Sequence, residues 1–369
     1  MDIAFVSGNP HIPQVVGGVE VNTHALAVEL VRRGNAVSVL AKLSLRTGFG
    51  LCRAAFNAAA RRKLWVDEYL GYPVFRSRAP ARDVGELPRP AVAVVQNGPM
   101  LELAERFEQR GVPAVAYLHG LSFERWEGEP DRFPFRGYIA NSRFTAARLR
   151  NRFGLEAAVL PPLFRREDYV TPVTGGSVTL INPVAVKGVD LTLRIAALCP
   201  DIPFIFARGW PLGLREEAAL RRKARALGNV ELRERTDDMR AIYRQTRILL
   251  VPSQWEDETW GRVVTEAQFS GIPVIASARG GLPEAVGPGG IILEHDAPAA
   301  MWAHEVAELW SNRCRYERLS AAALDHSMRP ALDPDCHVTK LVETLRMFIG
   351  LNGEAGSVLE VERSLSPAP

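Results

Sequence analysis

The chain has 369 residues, of which 47% are hydrophobic and 24% charged, with a formal net charge of +3. That balance excludes a wholly disordered chain, and the length suggests about two and a half domains at roughly 150 residues each. Four scattered cysteines (Cys52, Cys199, Cys314, Cys336), with no C-x-x-C pair and no His partners at zinc spacing, disfavour a disulfide framework or structural metal and fit a reducing compartment.

The first residues (MDIAFV) show no basic n-region or long apolar core, so no secretory signal is expected. No run approaches the roughly 20 apolar residues of a spanning helix, and a cytoplasmic protein is the expectation. Residues 3–6 read as a buried strand. A loop with Pro10, Pro13, Gly17 and Gly18 leads into a helix over about 19–33, with Leu26, Ala27, Leu30 and Val31 on one face and Gly34 at its stop. Residues 36–40 form the next strand. Basic residues then cluster: Arg46, Arg53, Arg61, Arg62, Lys63, Arg76, Arg78 and Arg82. Within 46–62 they alternate with Leu51, Ala54, Ala55, Phe56 and Ala59, which reads as an ordinary surface helix or as an amphipathic segment touching an anionic membrane at the inner face of the cell. Residues 1–165 hold 22 Lys+Arg against 15 Asp+Glu, or +7, and the remainder 23 against 27, or −4. The functional reading of the basic part is an anionic partner such as phospholipid headgroups or a phosphorylated acceptor. Nucleic acid is disfavoured, because the total charge is small and no recognised binding module is present.

The alternation continues with strands at 92–95, 114–118, 137–140 and 158–160 and helices at 100–110 and 142–153. Pro161-Pro162 ends that run, and 163–176, with Pro172, Gly175 and Gly176, reads as the linker between domains. The pattern restarts with strands at 178–181, 204–207, 230–232, 248–251, 272–276 and 291–293, and helices at 189–198, 215–227, 238–245 and 260–270. Residues 298–348 are helical only, and 351–369 are expected to be a disordered tail. Such βαβ alternation predicts an α/β protein with two tandem doubly wound, Rossmann-like halves, its ligand in a central cleft at the carboxyl ends of strands. The expected divisions are 1–165, 166–335, a helix at 336–350 packing back towards the first half, and the tail.

Several chemistries lose support: there is no G-x-G-x-x-G, G-x-x-x-x-G-K-[ST], G-x-S-x-G or H-E-x-x-H. The informative segment is 252–267, PSQWEDETWGRVVTEA, where a strand ends in an acidic loop and a helix begins. Glu258 lies just before that helix and Glu266 about two turns inside it. A helix start offers unpaired N–H groups to a phosphate, and the two carboxylates could each accept sugar hydroxyls. The plain alternative is a capping Glu258 and a solvated Glu266.

Glu258 and Glu266 with seven residues between them, followed by GIPVIA at 271–276 and GGLPE at 280–284, resemble the donor-site signature of glycosyltransferase family 4 (group 1). Gly17-Gly18-Val19-Glu20, Ile139-Ala140-Asn141-Ser142 and Val186-Lys187-Gly188-Val189-Asp190 resemble further motifs of that family in the right order. The resemblance implies the GT-B fold, with an acceptor-side first domain and a nucleotide-sugar donor domain second. It implies a retaining, metal-independent hexosyltransferase with no cofactor, taking a nucleoside diphosphate sugar to a glycan, lipid-linked or small-molecule hydroxyl, as in cell-surface polysaccharide biosynthesis. Glu266 would then hold the ribose hydroxyls, and Glu258 the transferred sugar. Backbone groups of Thr259, Trp260, Gly261, Arg262 and Val263 would face sugar and phosphates, and Lys187 would neutralise the leaving diphosphate. The leaving group would draw the acceptor proton in a front-face attack. Gly17 and Gly18 would let the backbone approach the diphosphate, and His119 would hydrogen-bond the donor sugar beside the attacking hydroxyl. Glu20 stays open between a dipole-favoured surface acid and a functional group, and His11 and His24 have no such support.

One departure stands out. The family commonly has an arginine where this chain has Asn182, so Arg262 or Arg208 supplies the missing charge, with Arg262 favoured, or the pocket differs. The alternatives are a nucleotide-sugar epimerase or other GT-B enzyme such as a phosphorylase, and a non-catalytic two-domain sugar-binding protein. A phosphorylase should carry a pyridoxal phosphate lysine in a much longer chain. The binding protein gives no reason for the spacing of Glu258 and Glu266.

Overall fold

The computed structural model describes residues 1–351 except Ser122, Glu124, Arg125, Glu127 and Gly128; apart from Leu351, the tail expected at 351–369 lies outside the described residues. The chain forms two compact units, one of Met1–Leu163 with the segment from Pro334 onward, the other of Phe164–Asp333.

In the first unit the strands are β1 (Asp2–Ser7), β2 (Ala36–Lys42), β3 (Trp65–Asp67), β4 (Val74–Ser77), β5 (Val92–Asn97), β6 (Ala114–Leu118), β7 (Tyr138–Ala140) and β8 (Ala158–Val159). They form one sheet in the order β3-β4-β2-β1-β5-β6-β7-β8, parallel except for the antiparallel β3–β4 pair. The central strands are apolar on both faces because helices cover both. On one side Val92 and Val94 pack with Leu26 and Leu30 of the helix Gly18–Arg32 and with Val338, Leu341 and Leu345 of the helix Pro334–Phe348. On the other, Ala93 and Val95 pack with Leu103 and Phe107 of Met100–Glu108 and Leu149 of Arg143–Phe153.

Three expectations are corrected here. Val31, counted on the core face of the first helix, is exposed, because Ala27 and Leu30 complete the buried stripe. Strands β3 and β4 were not anticipated, and the reason is Arg76. Counted in the basic surface cluster, it has no exposed surface; its Nε donates to Asp67 on β3 at 2.7 Å and Nη2 to the Ile12 carbonyl at 2.6 Å. Glu20 is not a surface acid: it is buried, and its Oε2 accepts the Gly17 N–H at 3.1 Å, closing the first turn. Burial pushes its carboxyl above the usual range.

The second unit has β9 (Ser177–Ile181), β10 (Phe204–Ala207), β11 (Val230–Arg233), β12 (Thr246–Val251), β13 (Val274–Ser277) and β14 (Gly290–Leu293). Their order is β11-β10-β9-β12-β13-β14, parallel throughout. The stretch read as a linker packs into this unit: Phe164 is buried against Phe269 and Trp260, with Tyr169, Val170 and Val173 beside it. The helical-only region resolves into Ala299–Ser311 and Arg313–Ser327 here and Pro334–Phe348 in the first unit. Among the described residues the four cysteines are free thiols, and no helix is long and apolar enough to cross a membrane.

Candidate active site

In the second unit the strand order reverses between β9 and β12, the switch point beyond whose carboxyl ends open parallel sheets bind ligands. The loops leaving these two strands are joined. After β9 the chain makes one 3-10 turn, Ala185–Lys187, closed by Gly188 at φ 83°. A Cβ on Gly188 would lie 2.1 Å from the Pro252 carbonyl oxygen, so only glycine lets the turn rest on the loop after β12. The Gln254 N–H donates to the Val186 carbonyl at 2.9 Å, tying the loops a second time. Lys187 and Glu258 are thereby brought together: Lys187 Nζ donates to Glu258 Oε2 at 2.5 Å, and Ser253 Oγ donates to the same oxygen at 3.0 Å. Glu258 is 6% exposed. Its backbone is braced from the far side by Gly281, whose N–H donates to the Glu258 carbonyl at 2.8 Å and whose Cβ, if present, would sit 2.0 Å from the Thr259 oxygen. The GGLPE motif at 280–284 thus serves the position of Glu258 through its backbone.

The helix expected over 260–270 is shorter, Arg262–Gln268, because Gly261 at its N-cap is left-handed at φ 78°. Glu266 is therefore its fifth residue and not two turns inside. It is also buried and not solvated. Its Oε2 accepts the Tyr243 hydroxyl at 2.8 Å, and its Oε1 faces Arg262 Nε at 3.4 Å. Burial raises its carboxyl above the ordinary range, against the pull of Arg262 and Tyr243. Burial, and then the Glu266 charge, drive the Tyr243 phenol well up. Two lone-pair sites of this oriented carboxylate are spent on protein, and a carboxylate has about four.

The remaining residues of the segment divide. Thr259 is buried and Val263 half-buried against the core. The Trp260 ring belongs to the core, its Nε1 donating to Thr265 Oγ1 at 3.1 Å, so only its backbone is available to a ligand. Arg262 lies 4.3 Å over the Phe164 ring and donates to the Tyr169 hydroxyl at 3.3 Å. Arg208 is ion-paired with Glu217 and Glu234. Asn182, left-handed at φ 62°, accepts the Trp210 N–H at 2.8 Å.

In the first unit the corresponding reversal falls between β1 and β5. Gly17 is the N-cap of the helix after β1 and Gly18 its first residue. His119 directly follows β6, its ring 4.1 Å from that of Tyr117, and it lines a small cavity with Gln96, Asn97, Phe123 and Trp126. His11 Nε2 and His24 Nδ1 both meet the Tyr72 hydroxyl, at 3.0 and 2.9 Å. The basic segment folds as the helix Gly48–Ala59, leaving Leu51 and Phe56 more than half exposed, with Arg53 stacked 4.5 Å over Trp65.

Sequence reasoning missed Ser253, Tyr243, Trp210 and Trp255. Ser253 had a signal, standing two residues past the end of β12 in the segment singled out. Tyr243 and Trp210 had none, because the fold alone carries them to Glu266 and Lys187.

Comparison with known proteins matches the profile described as Glycosyltransferase Family 4 to residues 16–163, and that described as Glycosyl transferases group 1 to residues 177–312. A D-inositol 3-phosphate glycosyltransferase of Streptomyces griseus is 28% identical over 291 residues, 70% of this chain and 58% of the relative. One of Mycolicibacterium gilvum is 34% identical over 151 residues, 38% of this chain and 33% of the relative. The chain thus spans little more than half the length of the first of these curated relatives, and less of the second. Among solved structures, a glycosyltransferase from Rickettsia africae superposes with a TM-score of 0.75 at 14% identity, over 96% of this chain and 100% of that one. Anabaena Alr3699/HepE in complex with UDP gives 0.73 at 17%, over 94% and 99%. The fold is that of these GT-B proteins.

Proposed function

We propose, on the premise that the chain belongs to the family 4, group 1 glycosyltransferases, that it is a retaining, metal-independent enzyme moving a hexose from a nucleoside diphosphate sugar to a hydroxyl. The observation that carries the proposal is the Lys187–Glu258–Ser253 cluster beyond the ends of β9 and β12, with Glu266 already oriented by Tyr243. The two unspent lone-pair sites of Glu266 accept the ribose hydroxyls. Lys187 turns its ammonium to the diphosphate, meeting the charge that grows as the glycosidic bond breaks, which is the task a metal would otherwise perform. Glu258 accepts hydroxyls of the transferred sugar. The acceptor oxygen bonds to the anomeric carbon on the face the phosphate leaves, the carbon–phosphate-oxygen bond breaks, and the acceptor proton passes to the departing phosphate oxygen. On the first unit, Gly17, Gly18 and His119 are the residues proposed to meet substrate. The exposed Leu51 and Phe56 among arginines are proposed to touch an anionic membrane from the cytoplasmic side.

The acceptor classes are a glycan, a lipid-linked sugar or a small molecule in cell-surface polysaccharide assembly. The Streptomyces griseus relative is a D-inositol 3-phosphate glycosyltransferase, which makes D-inositol 3-phosphate the first small-molecule probe. The deciding experiment is a thermal-shift panel of UDP-, GDP- and ADP-sugars, because a ligand of the folded state raises the midpoint. One nucleotide class should raise it in the native chain and not in Lys187→Ala. No shift with any of them defeats the proposal.

A further inference from the structure

Lys187 uses only part of its bonding capacity. Among the described residues its Nζ makes one hydrogen bond, to Glu258 Oε2. An ammonium has three donors, so two remain, on a side chain that is only 16% exposed. What lies around them is aromatic. The Trp255 ring centroid is 4.6 Å from Nζ and that of Trp210 5.5 Å, both inside the roughly 6 Å over which a ring face attracts a cation. The two rings pack edge to face at 5.7 Å and 83°. The main chain at Trp210 is held although the residue is 41% exposed: its backbone N–H donates to Asn182 Oδ1 at 2.8 Å. Asparagine tolerates the left-handed backbone this requires.

We propose that Trp210 and Trp255 are positioning residues that cage the Lys187 ammonium, with Asn182 fixing the outer wall, so that its two unspent N–H donors are aimed at the donor diphosphate. This rests on reading the second unit as the donor site. Ring faces replace part of the ammonium's water without consuming its donors, so an arriving phosphate displaces less water from it. A caged lysine also has less side-chain freedom to lose on binding.

The test is calorimetric titration of the full chain with UDP, GDP and ADP, continuing with the one bound most tightly. Trp255→Leu should weaken binding about tenfold and Trp210→Leu and Asn182→Gly about threefold each, the scale of a partly desolvated cation–π contact. Trp255→Phe, which keeps a ring face, should stay within about threefold of the native chain. In a Lys187→Met background none of these changes should have any further effect, and far-UV dichroism should be unchanged throughout. Losses of the same size in the Lys187→Met background, or no loss from either tryptophan variant, overturn the cage. Native binding unaltered by Lys187→Met, or no binding of any diphosphate, overturns the donor-site reading itself and the cage with it.

Discussion

The first unit should be acid-labile for a reason that can be counted. His11 and His337 are both buried, one against the Tyr72 hydroxyl at 3.0 Å and the other with Nε2 on the Pro161 carbonyl at 2.6 Å. Burial, aided for His11 by the Arg76 charge, holds them at about 3 and about 4 respectively. In the unfolded chain a histidine titrates near about 6.5. Below that pH the unfolded state takes up protons the native state refuses, so stability present at neutral pH is lost as pH falls. The slope is about 1.4 kcal/mol per pH unit for each histidine. At pH 4.5, about two units below 6.5, each has cost about 2.7 kcal/mol, and the pair about 5 kcal/mol. A whole domain commonly has only about 5–15 kcal/mol. Hydrogen exchange of peptides from β1 and β5, corrected for the intrinsic rate at each pH, reads this unit alone. A His11→Gln, His337→Gln variant keeps polar partners for Tyr72 and Pro161 and should flatten the pH slope. Equal slopes in native and variant chains between about pH 6.5 and 4.5 would refute the reasoning.

Further outcomes can be checked at the site. Glu258→Ala and Lys187→Ala should each abolish transfer while far-UV dichroism stays native; full activity in either rejects the assignment. Glu266→Gln leaves one acceptor oxygen where two are needed, so nucleotide binding should fall by about 1.5–3 kcal/mol, roughly 10- to 150-fold by calorimetry; an unchanged Kd counts against Glu266 as the ribose ligand. Gly188→Ala adds a Cβ 2.1 Å from the Pro252 oxygen at a left-handed φ. It should cost about 2 kcal/mol or more in urea unfolding and lower the transfer rate as well, since the shift moves Lys187. With Lys187 as the cation, transfer should proceed at the same rate in excess chelator and gain nothing from Mn²⁺; collapse in chelator rejects the metal-free mechanism.

The parallel-sheet architecture was legible because strands covered on both faces read as short continuous apolar runs, as at 92–95 and 248–251. β3 and β4 were hidden because β4 contains a charge. Arg76 is tolerated there only because Asp67, diagonal to it on β3, and the His11 and Ile12 carbonyls accept from its guanidinium, a pairing no periodicity displays. Glu258, Glu266 and Lys187 could be singled out from their spacing and motif context. Their partners could not, since Lys187 meets a carboxylate 71 positions away and Glu266 a phenol 23 positions before it. Trp260 is assigned to the donor through its backbone only, and its ring has a separate role. It lies in the right segment, but a large ring beside a tight glycine turn is more useful to the core than to a ligand, and it packs with Leu282 and Val264.

The passage of the chain from the first unit to the second and back makes Phe164–Asp333 an insertion within the other unit. Val338, Leu341 and Leu345, none with any exposed surface, complete a core begun by Ile3 and Phe5. During vectorial synthesis that core stays open on one side until the stretch from 164 to 348 has emerged, about 10–40 s at about 5–20 residues per second. The inserted unit, contiguous in sequence, can close first. The nascent first unit meanwhile leaves the apolar side of the helix Gly18–Arg32 and its sheet without the covering helix Pro334–Phe348, the kind of transiently exposed surface that chaperones bind.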